Sequence, residues 1–228
     1  MSRRGLFVTG TDTGVGKTVI ACALVRSFAA RGERVGVMKP IASGAVRTPD
    51  GLRNEDALAL LAAANVPLAY GRVNPYCFEP PISPHIAAEE ANIEIDMSKI
   101  AAEHAAIGAI SDRVIVEGAG GWFAPIGARD SMADLARTLA VPALLVVGLR
   151  LGCLNHAELT RRAIDASRVP FAGWIANALE SPMERETENL ATLERRLGEP
   201  PLAVVRFAPA GEATLTLAAA AAALAARG

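Results

Sequence analysis

Short apolar runs alternating with segments of helical periodicity predict an α/β fold, an open, mostly parallel, doubly wound sheet with helices on both faces. Two observations sharpen that expectation. Several of the runs are apolar at every position, as strands covered on both sides require. The first run, Leu6-Phe7-Val8, leads through a glycine-rich turn directly into a helical pattern.

Taken in order, the runs place strands at 6–8, 35–38, 114–116, 143–147, 173–176 and 202–205. The 3.6-residue periodicity places helices at 17–31 (closed by Gly32), 55–64, 98–110, 132–139, 154–166 and 183–197. The alanine-rich tail 217–226 is ten apolar residues, about half of a membrane span, and reads as a packed C-terminal helix. Residues 74–90 carry four prolines and are expected to be irregular, a candidate rim for a substrate site. With no internal repeat and no linker, residues 1–228 are expected to form one domain.

Composition narrows the class. A net charge of −1 gives no electrostatic reason to expect nucleic acid or an acidic membrane surface. Cys22, Cys77 and Cys153 lie far apart without metal-ligand spacing, which suits a reducing cytosol. The segment before the first strand lacks the apolar core of a signal peptide, so a soluble, cytoplasmic protein is expected.

The most informative stretch is Gly10-Thr11-Asp12-Thr13-Gly14-Val15-Gly16-Lys17-Thr18. Gly16-Lys17-Thr18 completes the pattern G-x-x-x-x-G-K-[ST], with the leading glycine one place earlier than the strict form. In a strand–turn–helix context, such a loop turns backbone N–H groups around an anion, and the helix N-terminus adds its positive end. Lys17 would reach the β- and γ-phosphates, and the Thr18 hydroxyl would sit on Mg²⁺. The expected fold is therefore P-loop NTPase-like and binds a nucleoside triphosphate.

Three further segments carry chemistry. Lys39, in Lys39-Pro40-Ile41-Ala42-Ser43-Gly44, falls at the carboxyl edge of the second strand; it is either a solvated strand-end lysine or a neutraliser of phosphoryl charge. Asn54-Glu55-Asp56 opens a helix, with Asn54 as a cap and Asp56 either complementing the dipole or ligating magnesium. Glu117, at the end of Val114-Ile115-Val116, has the address of a Walker-B acid, and the glycines after it permit close backbone approach. Trp122 and Trp174 read as packing residues, although Trp122 follows the glycine run and could wall a substrate pocket.

These motifs together, with Ser83-Pro84-His85, Glu117-Gly118-Ala119-Gly120-Gly121-Trp122, residues 147–156 and Gly173-Trp174-Ile175-Ala176-Asn177, resemble the dethiobiotin synthetase family. The resemblance spans roughly residues 5–180 in register. It implies ring closure of 7,8-diaminopelargonate with CO₂ at the expense of MgATP, through a carbamate and a carbamic-phosphoric anhydride. On that resemblance Lys17, Lys39, Thr13 and Ser43 are the catalytic set, with the two lysines on the γ-phosphate and carbamate. Asp12, Thr13, Gly14, Val15, Gly16, Lys17, Thr18, Glu117 and Asn177 bind the nucleotide, Asn177 at the base. Thr18, Asp56 and Glu117 hold Mg²⁺. Ser43, Gly120 and Gly121 position the diamine, while Gly152, Cys153, Leu154 and Asn155 offer helix-terminal N–H groups to its distal carboxylate. That helix end is implied to come from the other subunit of a homodimer. Switch ATPases of related fold place an extra lysine early in the loop, where this chain has Asp12.

Overall fold

The computed structural model describes residues 5–179, 183–207 and 213–227. The chain opens with strand β1 (Gly5–Gly10) and helix α1 (Lys17–Ala29), followed by β2 (Val35–Met38), β3 (Ile41–Ala42), β4 (Val46–Thr48) and β5 (Gly51–Arg53). Next come α2 (Glu55–Ala63), α3 (Tyr70–Val73), β6 (Tyr76–Cys77), α4 (Pro84–Glu90), α5 (Met97–Ala109) and β7 (Arg113–Glu117). The remainder alternates: α6 (Met132–Leu139), β8 (Ala143–Leu149), α7 (Cys153–Ala166), β9 (Phe171–Ala178), α8 (Glu186–Leu197), β10 (Ala203–Val205) and α9 (Ala213–Arg227).

Six strands form one sheet in the order β10-β9-β8-β1-β7-β2, with every neighbouring pair parallel. The chain builds β2 and β7 on one side of β1, then β8, β9 and β10 on the other. The carboxyl end of β1 is thus the topological switch point, where sheets of this kind bind ligands. The period of two divides the strand residues between two cores. Val8, Val37, Ile115, Val146 and Ile175 face the layer of α1, α2 and α9. Phe7, Val116, Leu145 and Trp174 face the layer of α5, α6, α7 and α8. The C-terminal helix packs through Leu217, Ala220, Ala221 and Leu224, as its alanine-rich pattern suggests. Among the described residues, no helix is long and apolar enough to cross a membrane.

The structure differs from the sequence expectation in instructive places. The segment 74–90 is not irregular throughout: it holds β6 and α4, with Pro84 in the first turn of α4, where a missing N–H costs nothing. Helix α8 begins at Glu186 rather than 183, and α1 stops at Ala29. Trp122 does not wall a pocket. It is 3% exposed, meets Phe7 edge-on with centroids 6.2 Å apart, and donates its indole N–H to Ser167 Oγ. The short hairpin β4–β5 and helix α3 carry too few apolar residues to announce themselves by periodicity.

Helix α5 crosses β2 so closely that a Cβ at Gly36 would lie 2.3 Å from Ile107 Cγ2. Gly36→Ala is therefore expected to cost about 1–3 kcal/mol by overpacking. Urea melts of the single and double variants should show the combined loss of Gly36→Ala and Ile107→Ala falling below the sum of the two.

Candidate active site

The loop between β1 and α1 is shaped by close contacts that leave little room for side chains. Gly16, the residue capping α1, has φ +85°, and a Cβ there would stand 2.2 Å from Asn177 Nδ2. The Asn177 amide in turn donates to the Val15 carbonyl at 2.9 Å, tying the end of β9 to the loop. Val15 is fully buried, wedged where a Cβ at Gly10 would lie 2.6 Å from it and one at Gly148 2.9 Å. Asp12 stands at the outer turn: it accepts the Thr13 N–H and forms an ion pair with Arg150. Lys17 begins α1, and its ammonium donates to the Asp12 carbonyl at 2.8 Å.

Strand register assembles the charged centre. Because Met38 pairs with Val116 across β2 and β7, the next residues, Lys39 and Glu117, emerge side by side at the carboxyl edge. The Lys39 ammonium donates to Glu117 Oε1 at 2.6 Å, approaches Asp56 Oδ2 at 3.1 Å, and donates to the Gly118 carbonyl at 3.3 Å. Thr18 donates to the same Glu117 oxygen at 2.9 Å. Lys39 and Glu117 are 4% and 1% exposed, so each carries a charge the other must compensate. Lys39 is not the solvated strand-end lysine that position alone would suggest.

Burial works against the Lys39 ammonium, yet Glu117 and Asp56 outweigh it and hold Lys39 above the ordinary lysine range. Burial pushes Asp56 up, and Lys39 with Thr18 outweighs it, leaving Asp56 below the usual carboxylate range. Lys17 goes the other way. Burial, aided by the Lys39 charge, pulls it down to about 8 against the attraction of Glu117, Asp56 and Asp12.

A second set of contacts, invisible to motif reading, supports this centre from behind. Asn74 donates its amide to the Lys39 carbonyl at 2.7 Å and to that of Tyr76 at 3.1 Å. Its Oδ1 accepts the Tyr70 hydroxyl at 3.0 Å, and that hydroxyl accepts the Asn54 N–H at 2.7 Å. Asn54 caps α2 through the Ala57 N–H and donates to the Ser43 carbonyl at 3.3 Å. Burial raises the Tyr70 phenol to about 12, which keeps its donor proton in place.

Lys17, Thr18, Lys39, Asp56 and Glu117 line one cleft of about 880 Å³, together with Thr13, Gly14, Gly16, Ser43, Gly120 and Gly121. Asp12 and Val15 do not line it, the Val15 side chain being in the core. Asn177 is buried beneath the loop, with one amide proton committed to it. Gly152, Cys153, Leu154 and Asn155 do not line this cleft. They do open α7, but the Cys153 side chain packs inward and its N–H donates to the Arg150 carbonyl; the Leu154 and Asn155 amides of that turn have no backbone acceptor among the described residues, and that of Leu154 faces the Cys153 thiol.

The donors in the cleft suit a hard cation. Glu117 Oε2 is buried without a hydrogen-bond partner, and Thr18 Oγ1 and the Asp56 carboxylate share its surroundings. No group of three or more His, Cys, Asp or Glu residues among those described could hold a metal unaided. A Mg²⁺ ion fits that sparse set, since it retains waters and takes phosphate oxygens beside one or two carboxylates.

A parallel sheet with a glycine-rich loop closing on Lys17 and Thr18 at its switch point defines the class: a P-loop NTPase fold. Solved structures agree on the fold: the cell division protein MinD of Aquifex aeolicus (TM-score 0.62, 15% identity, 98% of this chain and 97% of that one) and a ParA family ATPase of Chlorobium tepidum TLS (0.56, 15%, 99% and 93%). A family model described as an AAA domain matches residues 4–213. The chain belongs to the ATP-dependent dethiobiotin synthetase family: it is 46% identical to the synthetase of Xanthomonas oryzae pv. oryzae over 93% of this chain and 95% of that protein. The Aeromonas hydrophila subsp. hydrophila synthetase is 48% identical over 90% of this chain and 91% of its own.

Replacing Lys39 by Met leaves Glu117 buried and uncompensated, and is expected to cost about 3–5 kcal/mol in chemical denaturation. Adding Glu117→Gln should recover most of that loss. Lys17 predicts a pH effect on the free protein. Its charge is present below about 8 and is lost as pH rises through that value, so affinity for a non-hydrolysable ATP analogue should fall above it. Calorimetric titration from pH 7 to 9.5 checks this, and Lys17→Arg should flatten the upper limb.

Proposed function

We propose that this protein closes the ureido ring of dethiobiotin from 7,8-diaminopelargonate, CO₂ and ATP, releasing ADP and phosphate. The observation that carries the reading is the convergence of two lysines and two carboxylates on one cleft of a chain in this family. One amine of the substrate adds to CO₂, giving a carbamate. A carbamate oxygen attacks the γ-phosphorus and ADP leaves; the second amine then attacks the carbonyl carbon of the mixed anhydride and phosphate departs.

None of these steps needs an enzyme nucleophile, so positioning and charge neutralisation carry the rate. Lys17 and Lys39 face the transferring phosphoryl oxygens and the carbamate. Thr13, Ser43 and the backbone of Gly120 and Gly121 orient the diamine between them. Mg²⁺, held by Thr18, Asp56 and Glu117, would supply charge neutralisation across the phosphates. The loop residues Asp12 to Thr18 cradle the triphosphate. Asn177, near the end of β9, would contact the base.

The Leu154 and Asn155 amides suit the distal carboxylate of the diamine. Because one chain does not bring them to its own cleft, a second copy is the natural source, and a homodimer completes the site. A single domain in the cytoplasm is consistent with the continuous sheet and the three free cysteines.

Mass spectrometry of a reaction containing 7,8-diaminopelargonate, bicarbonate and MgATP tests the reading. The expected product is the diamine plus one carbonyl less two hydrogens, formed with equal ADP and phosphate. ATP hydrolysis without that product would overturn it. Glu117→Gln should raise the magnesium concentration giving half-maximal rate; an unchanged requirement would remove Glu117 from the metal set.

A further inference from the structure

The catalytic reading leaves one polar assembly unused: the half-buried Tyr70 on α3, the buried Asn74 just after it, and the buried capping residue Asn54. We propose that the Tyr70 hydroxyl is the positioning group that sets the spacing between Lys39, Ser43 and Asp56. This rests on the synthetase reading only for the roles of those three residues.

Three segments that carry chemistry reach this hydroxyl, each by a short path. Asn74, 3% exposed, receives the Tyr70 proton on Oδ1 and uses its own amide to hold the Lys39 carbonyl at 2.7 Å. The Lys39 N–H is fixed from the same side, donating to the Val73 carbonyl at 2.9 Å. Asn54 gives its N–H to the Tyr70 oxygen at 2.7 Å and sets the first turn of α2, two residues before Asp56 meets the Lys39 ammonium. The Asn54 side chain then reaches the Ser43 carbonyl at 3.3 Å.

The phenol is itself held in place. The Arg53 guanidinium lies over its ring, 4.3 Å from the centroid, and Cys77 Sγ is 3.5 Å from its oxygen. Donating to Asn74 while accepting from Asn54, the hydroxyl joins the segment that holds the Lys39 backbone to the segment that opens α2. Removing the one oxygen leaves both partners without their bond and loosens the spacing between the segments, where a shift of a fraction of an ångström matters to phosphoryl transfer. The phosphate loop lies outside this assembly and keeps its own contacts with Asn177 and Asp12.

The test compares the full chain with Tyr70→Phe and with Tyr76→Phe. Tyr76 is a matched control, because its hydroxyl also accepts a backbone N–H, that of Asp96 at 2.9 Å, away from the cleft. Tyr70→Phe is expected to lower kcat about tenfold or more, while KM for ATP stays within about twofold. Electron paramagnetic resonance with Mn²⁺ and a non-hydrolysable ATP analogue should show metal affinity weakened several-fold, because the first turn of α2, which carries Asp56, loses the Asn54–Tyr70 hydrogen bond that sets its position. Tyr76→Phe should lower the melting temperature comparably and leave kcat and Mn²⁺ affinity unchanged.

Wild-type kcat and Mn²⁺ affinity in Tyr70→Phe would overturn the proposal, as would equal losses in both variants. Should the wild-type protein make no dethiobiotin, the synthetase reading falls. The positioning role is then decided by Mn²⁺ affinity alone, upheld if Tyr70→Phe weakens it and overturned if not.

Discussion

The buried pair of Lys39 and Glu117 is the constraint around which the rest is arranged. Two opposite charges almost sealed from water cannot be left uncompensated, so each strand end is obliged to present its residue to the other. The parallel register of β2 and β7 does this without any loop acting as intermediary, since residues one step beyond a paired position emerge on adjacent strands about 4.8 Å apart. Asp56 and Thr18 then join from helix starts on either side. What looks like a cluster of catalytic residues is also the electrostatic closure of the sheet's carboxyl edge.

The two lysines of the cleft consequently differ in character. Lys39 is held by carboxylates and keeps its charge over the whole working range of pH. Lys17 is held by a neutral carbonyl and, at about 8, sits near the point of losing its charge. An incoming triphosphate therefore meets one cation already fixed in place and another whose charge its own arrival would reinforce. Rigid support on one side and electrostatic responsiveness on the other suit a site that must first bind a nucleotide and then handle a developing phosphoryl charge.

Much of this was legible in the residues. The phosphate loop, the acid closing β7, the lysine after β2 and the acid in the first turn of α2 could each be located from local pattern. Their mutual contact could not, because it depends on β2 lying next to β7, and strand order leaves no periodic trace. Tyr70 and Asn74 escape sequence pattern for a related reason. A tyrosine and an asparagine beside a proline-rich stretch carry no local signal, and only the tertiary fold buries Asn74 and brings the Tyr70 hydroxyl to it. Pro84 was legible in principle, since proline favours the first turn of a helix, but three nearby prolines masked the signal. Trp122 and Cys153 mark the other limit. Both sit in segments that look functional, yet their side chains face the core.

Val15 carries a consequence for how this family can drift. Its side chain fills the volume that Gly10 and Gly148 leave empty, Cγ2 toward the first and Cγ1 toward the second, so one branched side chain gauges the separation of β1 and β8 beneath the loop. Enlarging any one of the three would have to be matched by shrinking another, and shrinking Val15 alone would leave a void. The three positions form a single steric unit, and substitutions there would have to be inherited as a set rather than gathered one at a time.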